Sequence, residues 1–175
     1  MRDLMRGEFE RFTSLLFGSL WETTMKTSRP YSLPAQLSRN IRRVLDYWDR
    51  LKRGGNTIPF WDDVNISALP DLSARLMLVD VFVKPERFRF NMVGEQLVER
   101  FGESPTGKFA DQVELHGILE FFRSQCSATV EASEPTFYRH HRSQGSGDPE
   151  EFSRLLLPMW GDGHIGMLLG AIDWR

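Results

Sequence analysis

Apolar residues recur at intervals of three or four along the first part of the chain, which predicts an amphipathic helix over residues 2–25. Acidic residues balance the basic ones in this segment, so the helix lacks the cationic face of a membrane-surface helix. We therefore expect its apolar stripe to pack against the rest of the chain or against a second copy of it. The stripe consists of Met5, Phe9, Phe12, Leu16 and Leu20.

A second amphipathic helix follows a polar, proline-containing connection at residues 26–34. Ser32 is its predicted N-cap, and Gly54–Gly55 is its predicted stop. A solvated surface is the simplest explanation of its basic face, because nucleic-acid binding would also need base-reading or aromatic groups nearby. Nucleic acid is therefore the weakest of the alternatives, and no such partner is expected. The apolar stripe is Leu37, Ile41, Val44, Trp48 and Leu51, and the basic face carries Arg39, Arg42, Arg43, Arg50, Lys52 and Arg53.

Beyond Gly55 the pattern changes toward the alternation of apolar and polar residues that is typical of strands. Two strands are predicted over residues 75–83 and 87–92, and Lys84–Glu86 forms the short turn between them. This pair of strands is predicted to be a hairpin. The residues expected on one face of its second strand are Phe88, Phe90 and Met92.

The middle of the chain favours short helices, and the last part favours strands again. Gly161–Gly163 is a predicted hairpin turn, because glycine accepts the positive φ that such turns require. The predicted order is thus two strands, several short helices and three strands. The helices cover residues 96–101, 109–113 and 116–132, and the strands cover residues 136–142, 151–160 and 164–174.

Composition and charge narrow the class of protein. The 175 residues are 41% hydrophobic and 26% charged, as in an ordinary globular domain, and the formal net charge of −2 gives no overall attraction to nucleic acid or anionic lipid. The longest apolar runs are far shorter than the roughly 20 residues of a membrane helix, and no leader pattern is recognised. Cys126, the single cysteine, cannot form an internal disulfide, so we expect a cytoplasmic protein without a membrane span.

Three segments of the chain resemble the PAS domain family. Residues 88–97 resemble the PAS segment in which the second strand ends in Val-Gly and leads into the first short helix. Residues 101–108 resemble the G-x-x-x-x-G turn into the next helix, and residues 155–163 resemble the penultimate strand and its hairpin. Together with Trp48 and Pro59, these segments are similar to a family of short bacterial PAS-like proteins, and the resemblance covers residues 40–174.

The resemblance implies an α+β fold, in which N-terminal helices precede a five-stranded antiparallel sheet of order 2-1-5-4-3 with short helices on one face. It divides the chain into a helical extension, residues 1–55, and a sensory domain, residues 56–175. It also implies a non-enzymatic sensory or regulatory protein that acts through protein association. The expected partners are a second copy of the chain, a signalling protein, or both, and the apolar stripe of residues 5–20 is the expected interface.

A PAS domain can enclose a small molecule between its sheet and its helices. Pockets of this kind are mostly apolar, but the same residues would equally fill a dry, close-packed core. The presence of a ligand, the identity of any cofactor and the signal sensed therefore stay open. The candidate pocket residues are Phe90, Met92, Phe101, Phe109, Phe122, Cys126, His140, Met167 and Leu169.

Several residues match motifs of catalytic, metal or cofactor sites but lack the structural context that those motifs need. The glycines of residues 161–166 match G-x-G-x-x-G, but they lie in a predicted hairpin and do not open a helix. His140 and His141 are neighbours on a predicted strand, so they point to opposite faces and cannot chelate one metal ion. A single histidine as a haem ligand stays open for these two and for His116. Cys126 lies on the apolar side of its predicted helix and is expected to be inert.

One enzymatic alternative remains, a cone-shaped α+β enzyme in which helices close over a curved sheet. Its proton transfer would use a buried carboxylate and a histidine, and Asp80 and His116 are the candidates. The alternative requires Asp80 to face a cavity within hydrogen-bond reach of a histidine.

Overall fold

The computed structural model describes residues 30–140 and 151–174. The chain divides into two compact units, residues 1–30 and residues 31–175. The predicted first helix, with Met5, Phe9, Phe12, Leu16 and Leu20, lies outside the described residues. The second predicted helix belongs to the same unit as the sheet, whereas the sequence assigned it to an extension that ends at residue 55.

The first described helix, α1, spans Arg39–Arg50 and buries three residues of the predicted apolar stripe, Ile41, Val44 and Trp48. The other two, Leu37 and Leu51, lie just outside the helix and are partly buried. Its N-cap is Ser38, whose hydroxyl oxygen accepts a hydrogen bond from the backbone N–H of Ile41. The prediction of Ser32 as the N-cap was wrong. A helix that began there would hold Leu33 in the helical conformation directly before Pro34, and the proline ring disfavours that conformation.

Five strands form one fully antiparallel sheet in the order β2-β1-β5-β4-β3, which confirms the predicted topology. Asp162 and Gly163 both have positive φ at the turn between the last two strands, as a two-residue type I′ hairpin requires. The strands are β1 (Leu76–Val83), β2 (Glu86–Val93), β3 (Thr136–His140), β4 (Phe152–Gly161) and β5 (His164–Trp174).

The pairing of β1 with β2 contains a bulge that the alternating pattern concealed. Leu78 pairs with Met92 and Val79 pairs with Phe90, so Asn91 is an extra residue in β2. Phe90 and Met92 therefore lie on opposite faces of the sheet, and the prediction that they share a face was wrong. Alternation predicts a common face only where the register is uninterrupted.

Two further helices lie between β2 and β3. They are α2 (Glu95–Phe101) and α3 (Phe122–Ala132). The long helix predicted from residue 116 is interrupted at Phe121, which has a φ of 52°, and a single 3-10 turn, Gly117–Leu119, precedes the break. The helix predicted over 109–113 is absent. Residues 107–110 instead run beside β2 and exchange backbone hydrogen bonds with Phe88 and Phe90.

The short helices between β2 and β3 lie on one face of the sheet, as the resemblance implied, and α1 lies on the other face. We call the face that α2 and α3 cover the inner face of the sheet. The opposite, outer face is covered by α1 and by the segment that precedes β1. No helix of residues 30–140 or 151–174 is long and apolar enough to cross a membrane. The inner cluster includes Val79, Phe90, Leu97, Phe122, Cys126, Leu156, Leu168 and Ile172, and the outer cluster includes Ile41, Val44, Tyr47, Trp48, Leu155, Leu157, Met167 and Leu169.

Candidate functional site

Four of the predicted pocket residues lie together in the inner cluster, namely Phe90, Phe101, Phe122 and Cys126. The rings of Phe90 and Phe122 stack with their centroids 5.0 Å apart. Phe90, Phe122 and Cys126 have no accessible surface, and a side chain that lined a water-sized void would retain some. At these three positions the inner face is therefore filled by protein.

The other candidates lie elsewhere. Met167 and Leu169 belong to the outer cluster, and Met92 pairs with Leu78 on that same face. Phe109 packs against the ring of Phe82, at 5.4 Å between centroids, and lies under the guanidinium of Arg87 at 3.7 Å. The nine predicted residues consequently do not line one cavity. Contact of any of them with a ligand stays a prediction.

A buried arginine on β4 is the main feature that the sequence analysis missed. The side chain of Arg154 has no accessible surface, although it carries a charge. Its Nε donates to Gln125 Oε1 at 2.7 Å, and its two Nη atoms donate to the carbonyl oxygens of Ile118 (2.7 Å) and Glu120 (2.9 Å). Burial lowers the pKa of Arg154 to about 10, because desolvation disfavours the charged form. Three neutral acceptors thus hold this cation in place.

Two threonines and a glutamine extend the contacts of Arg154, and the four residues together are called the Arg154 network: Arg154, Gln125, Thr129 and Thr136. Gln125 Nε2 donates to Thr136 Oγ1 at 3.2 Å. The Thr129 hydroxyl donates to the carbonyl of Gln125 at 2.7 Å, so the 2.6 Å contact between the two threonine hydroxyls uses the proton of Thr136. The network ties α3 to β3 and β4, and every member of it is buried.

Glu120 connects this network to the edge of the sheet. One carboxylate oxygen, Oε1, accepts from the hydroxyl of Tyr138 at 2.7 Å and contacts Nδ1 of His140. Burial, followed by the hydrogen bond to Glu120, raises the pKa of Tyr138. The His140 ring stacks on Phe152 with a centroid distance of 5.4 Å, and its buried Nε2 has no hydrogen-bond partner in the described part of the chain.

The pair of residues required by the enzymatic alternative is not formed. Asp80 lies on β1, where its carboxylate accepts from Arg89 at 2.7 and 3.0 Å and from Asn91 at 3.0 Å. His116 lies on the inner side, where its ring stacks on Phe101 at 4.8 Å. The partners found for Asp80 are thus a guanidinium and an amide on β2, and no histidine is among them.

Cys126 is fully buried, and burial raises the pKa of its thiol, so the side chain is a neutral apolar group. Within the described ranges, no three His, Cys, Asp or Glu side chains are placed to hold a metal ion. His141 lies outside the described residues.

A solvent-facing cleft of about 280 Å³ lies between the start of β2 and the first half of α3. Its floor is formed by the buried side chains of Phe88 and Ala110. Its walls are polar, with Glu86, Arg87 and Asp111 on one side and Arg123, Ser124 and Ser127 on the other. We call it the β2–α3 cleft. Of the nine pocket residues predicted from the sequence, none lines it.

Comparisons with protein-family models, with curated proteins and with solved structures found no match to this chain.

Proposed function

We propose that this protein is a non-enzymatic regulatory protein of the PAS type that acts through protein–protein association, with a second copy of the chain as its first partner. The observation that carries the association is an exposed aromatic surface at the turn between β4 and β5. The strand order β2-β1-β5-β4-β3 supports the PAS-like part of the proposal, because it is the order that the resemblance implies. A fold by itself does not identify a function. The proposal of association therefore depends on the exposed aromatic surface.

The tryptophan surface is defined by Phe60, Trp61 and Trp160. The side chains of Trp61 and Trp160 are 45% and 38% exposed. The ring of Trp61 lies on the backbone of Gly161, where a Cβ atom would be only 2.1 Å from Trp61 Cδ1. The backbone N–H of Trp160 donates to the carbonyl of Pro59 at 2.8 Å, and Phe60 bridges to Trp160, so the segment that carries Trp61 runs beside the end of β4.

Large aromatic side chains held rigidly at the surface are typical of protein interfaces. Ordering the Trp61 ring costs little conformational entropy on binding, because its packing on Gly161 has already fixed its position. A second copy of the chain is the partner we propose, because most soluble oligomers are homo-oligomers, and symmetric dimers are the commonest of them. The apolar stripe of residues 5–20 is proposed as a second, separate contact between the two copies.

Native mass spectrometry of full-length variants tests the proposal. Trp160→Gln is paired with the control Phe82→Gln, because the side chains of Trp160 and Phe82 are equally exposed, at 38%, and Phe82 lies on β1. For the predicted stripe, Phe12→Asp is paired with Thr13→Asp, which introduces the same charge one residue away on a different side of the predicted helix.

We expect the wild-type chain and both controls to be dimeric, and we expect Trp160→Gln and Phe12→Asp to shift the equilibrium to the monomer. A wild-type chain that is monomeric up to about 100 μM would contradict the proposal, since specific dimers form well below that concentration. If Trp160→Gln dimerises as well as the wild type, the tryptophan surface is not part of the dimer interface.

A further inference from the structure

The β2–α3 cleft has the size and the walls of a small-molecule site that is separate from the proposed interface. Its volume of about 280 Å³ is at the lower end of ligand pockets, so a ligand must be smaller than a typical drug molecule. The floor residues Phe88 and Ala110 are buried, whereas Glu86, Asp111 and Arg123 are exposed. A ligand would therefore meet an apolar floor and charged walls.

Two of the charged groups neutralise each other. Arg87 donates to both carboxylate oxygens of Asp111, at 2.8 Å each, and this pairing lowers the pKa of Asp111. Glu86 and Arg123 are left as the charges available to a ligand. Glu86 accepts from the Ser127 hydroxyl through one oxygen, at 2.6 Å. Arg123 forms no hydrogen bond or ion pair within residues 30–140 and 151–174, although its charge also helps to lower the pKa of Asp111.

The charge balance of the cleft decides between ligand classes. Two guanidinium groups and two carboxylates give a formal sum of zero, so the cleft has no net attraction for a phosphate dianion or for a metal cation. Among the described residues no exposed aromatic ring lines the cleft, so these residues offer no stacking surface to a nucleobase. A molecule that carries one negative and one positive group matches the charges of Arg123 and Glu86 at once.

We propose that the β2–α3 cleft binds a small zwitterion of the size of a free amino acid. The ligand carboxylate pairs with the guanidinium of Arg123, and the ligand ammonium pairs with the carboxylate of Glu86. Charge-assisted hydrogen bonds of this kind are stronger than neutral ones, and the bidentate fork of arginine suits a carboxylate.

Isothermal titration calorimetry on the full-length chain tests this proposal, with the twenty standard amino acids as the probes. For each amino acid that binds, the N-acetyl derivative and the methyl ester are titrated next, because each lacks one of the two charges. We expect binding of at least one amino acid, and we expect each derivative to bind about tenfold more weakly or worse, since one charge-assisted contact is lost.

Substitutions connect the binding to the cleft. Arg123→Gln and Glu86→Gln each remove one charge, and a glutamine at position 86 can still accept from Ser127. The matched controls are Arg50→Gln on α1 and Glu131→Gln on α3, since both of these side chains are exposed and neither lines the cleft. We expect each cleft variant to lose about tenfold in affinity and both controls to keep the wild-type value.

Either of two results would overturn the proposal. One is the absence of binding by all twenty amino acids at about 10 mM, where even a weak specific site would be occupied. The other is equal affinity of the wild-type chain and the two cleft variants. The oligomeric mass is measured separately, so failure of this site leaves the proposed association untouched.

Discussion

The two faces of the sheet are held in different ways. Under α1, the outer cluster is apolar. Its Tyr47 hydroxyl donates to the carbonyl of Asn65 and accepts from the N–H of the same residue, and its Trp48 indole donates to the carbonyl of Pro158. The inner cluster contains the Arg154 network, in which a buried cation and three buried polar side chains contact one another. Apolar packing accepts many side chains of similar volume, whereas a buried donor needs its own acceptor.

This difference assigns separate tasks to the two faces. The network specifies where α3 lies on the sheet, since Arg154 also holds the carbonyls of Ile118 and Glu120 just before that helix. The outer cluster mainly supplies buried apolar area. Arg123 and Ser127, which line one wall of the β2–α3 cleft, belong to α3. The Arg154 network on the inner face therefore also positions this wall.

Substitution of the buried arginine gives the largest expected effect. In Arg154→Met, three acceptors lose their donor, and the relief of burying a charge offsets part of that cost, so we expect a loss of about 3 kcal/mol. Arg154→Lys keeps the charge but cannot reach all three acceptors, and it should also destabilise. Chemical denaturation measures both variants. A stability of Arg154→Met equal to that of the wild type would contradict the proposed role of the network.

Substitution of Trp48, the tryptophan in the outer cluster, gives the next largest expected loss of stability. Trp48 is buried, and its indole N–H donates to the carbonyl of Pro158 at 2.8 Å. Trp48→Phe leaves that carbonyl without this donor and reduces the buried area, so we expect a loss of about 2 kcal/mol in denaturant titrations. Hydrogen exchange should show the increased opening in α1 and leave α3 protected. Equal loosening of both helices would mean that the faces are not independent.

A near-isosteric change tests the inner face more finely. Thr129→Val keeps the shape of the side chain but removes the hydroxyl that contacts Gln125 and Thr136. We expect a loss of about 1.5 kcal/mol, because both of those buried groups lose a partner. Thr129→Ser keeps the hydroxyl and serves as the control, so it should cost less than Thr129→Val. The reverse order would show that packing, and not hydrogen bonding, dominates here.

The smallest effect is expected from the corresponding change on the outer face. Ile41→Val removes one methylene group from a buried apolar site, at a cost of about 1 kcal/mol. Thermal unfolding of Ile41→Val and Thr129→Val side by side compares the two faces directly. A larger loss of stability for Ile41→Val than for Thr129→Val would show that the outer face, and not the inner face, is the more sensitive to small changes.

Much of the fold could be predicted from the sequence, because hydrophobic periodicity reports burial. Periodicity predicted the five strands and the burial of Ile41, Val44 and Trp48 on α1, and these are confirmed. The strand order, which the resemblance to PAS domains implied, is confirmed as well. The bulge at Asn91 was not predicted, since an inserted residue changes the face of Met92 without changing the local alternation of apolar and polar residues. The break at Phe121 was also missed, because a single residue in the left-handed conformation leaves no mark in periodicity.

The candidate sites were harder to predict. Residues 164–174 are apolar on both faces of β5, so the pattern could not tell that Met167 and Leu169 face outward while Leu168 and Ile172 face inward. Arg154 did leave a signal, since it is in phase with Phe152 and Leu156 on β4. A charged residue at a core position indicates a buried polar network, and that signal was overlooked.

Sedimentation equilibrium of the unmodified full-length chain, over a series of concentrations, tests the association most directly. The proposal predicts a species of twice the 20.3 kDa chain mass, in a reversible equilibrium with the monomer. A single species of 20.3 kDa at every concentration would contradict it.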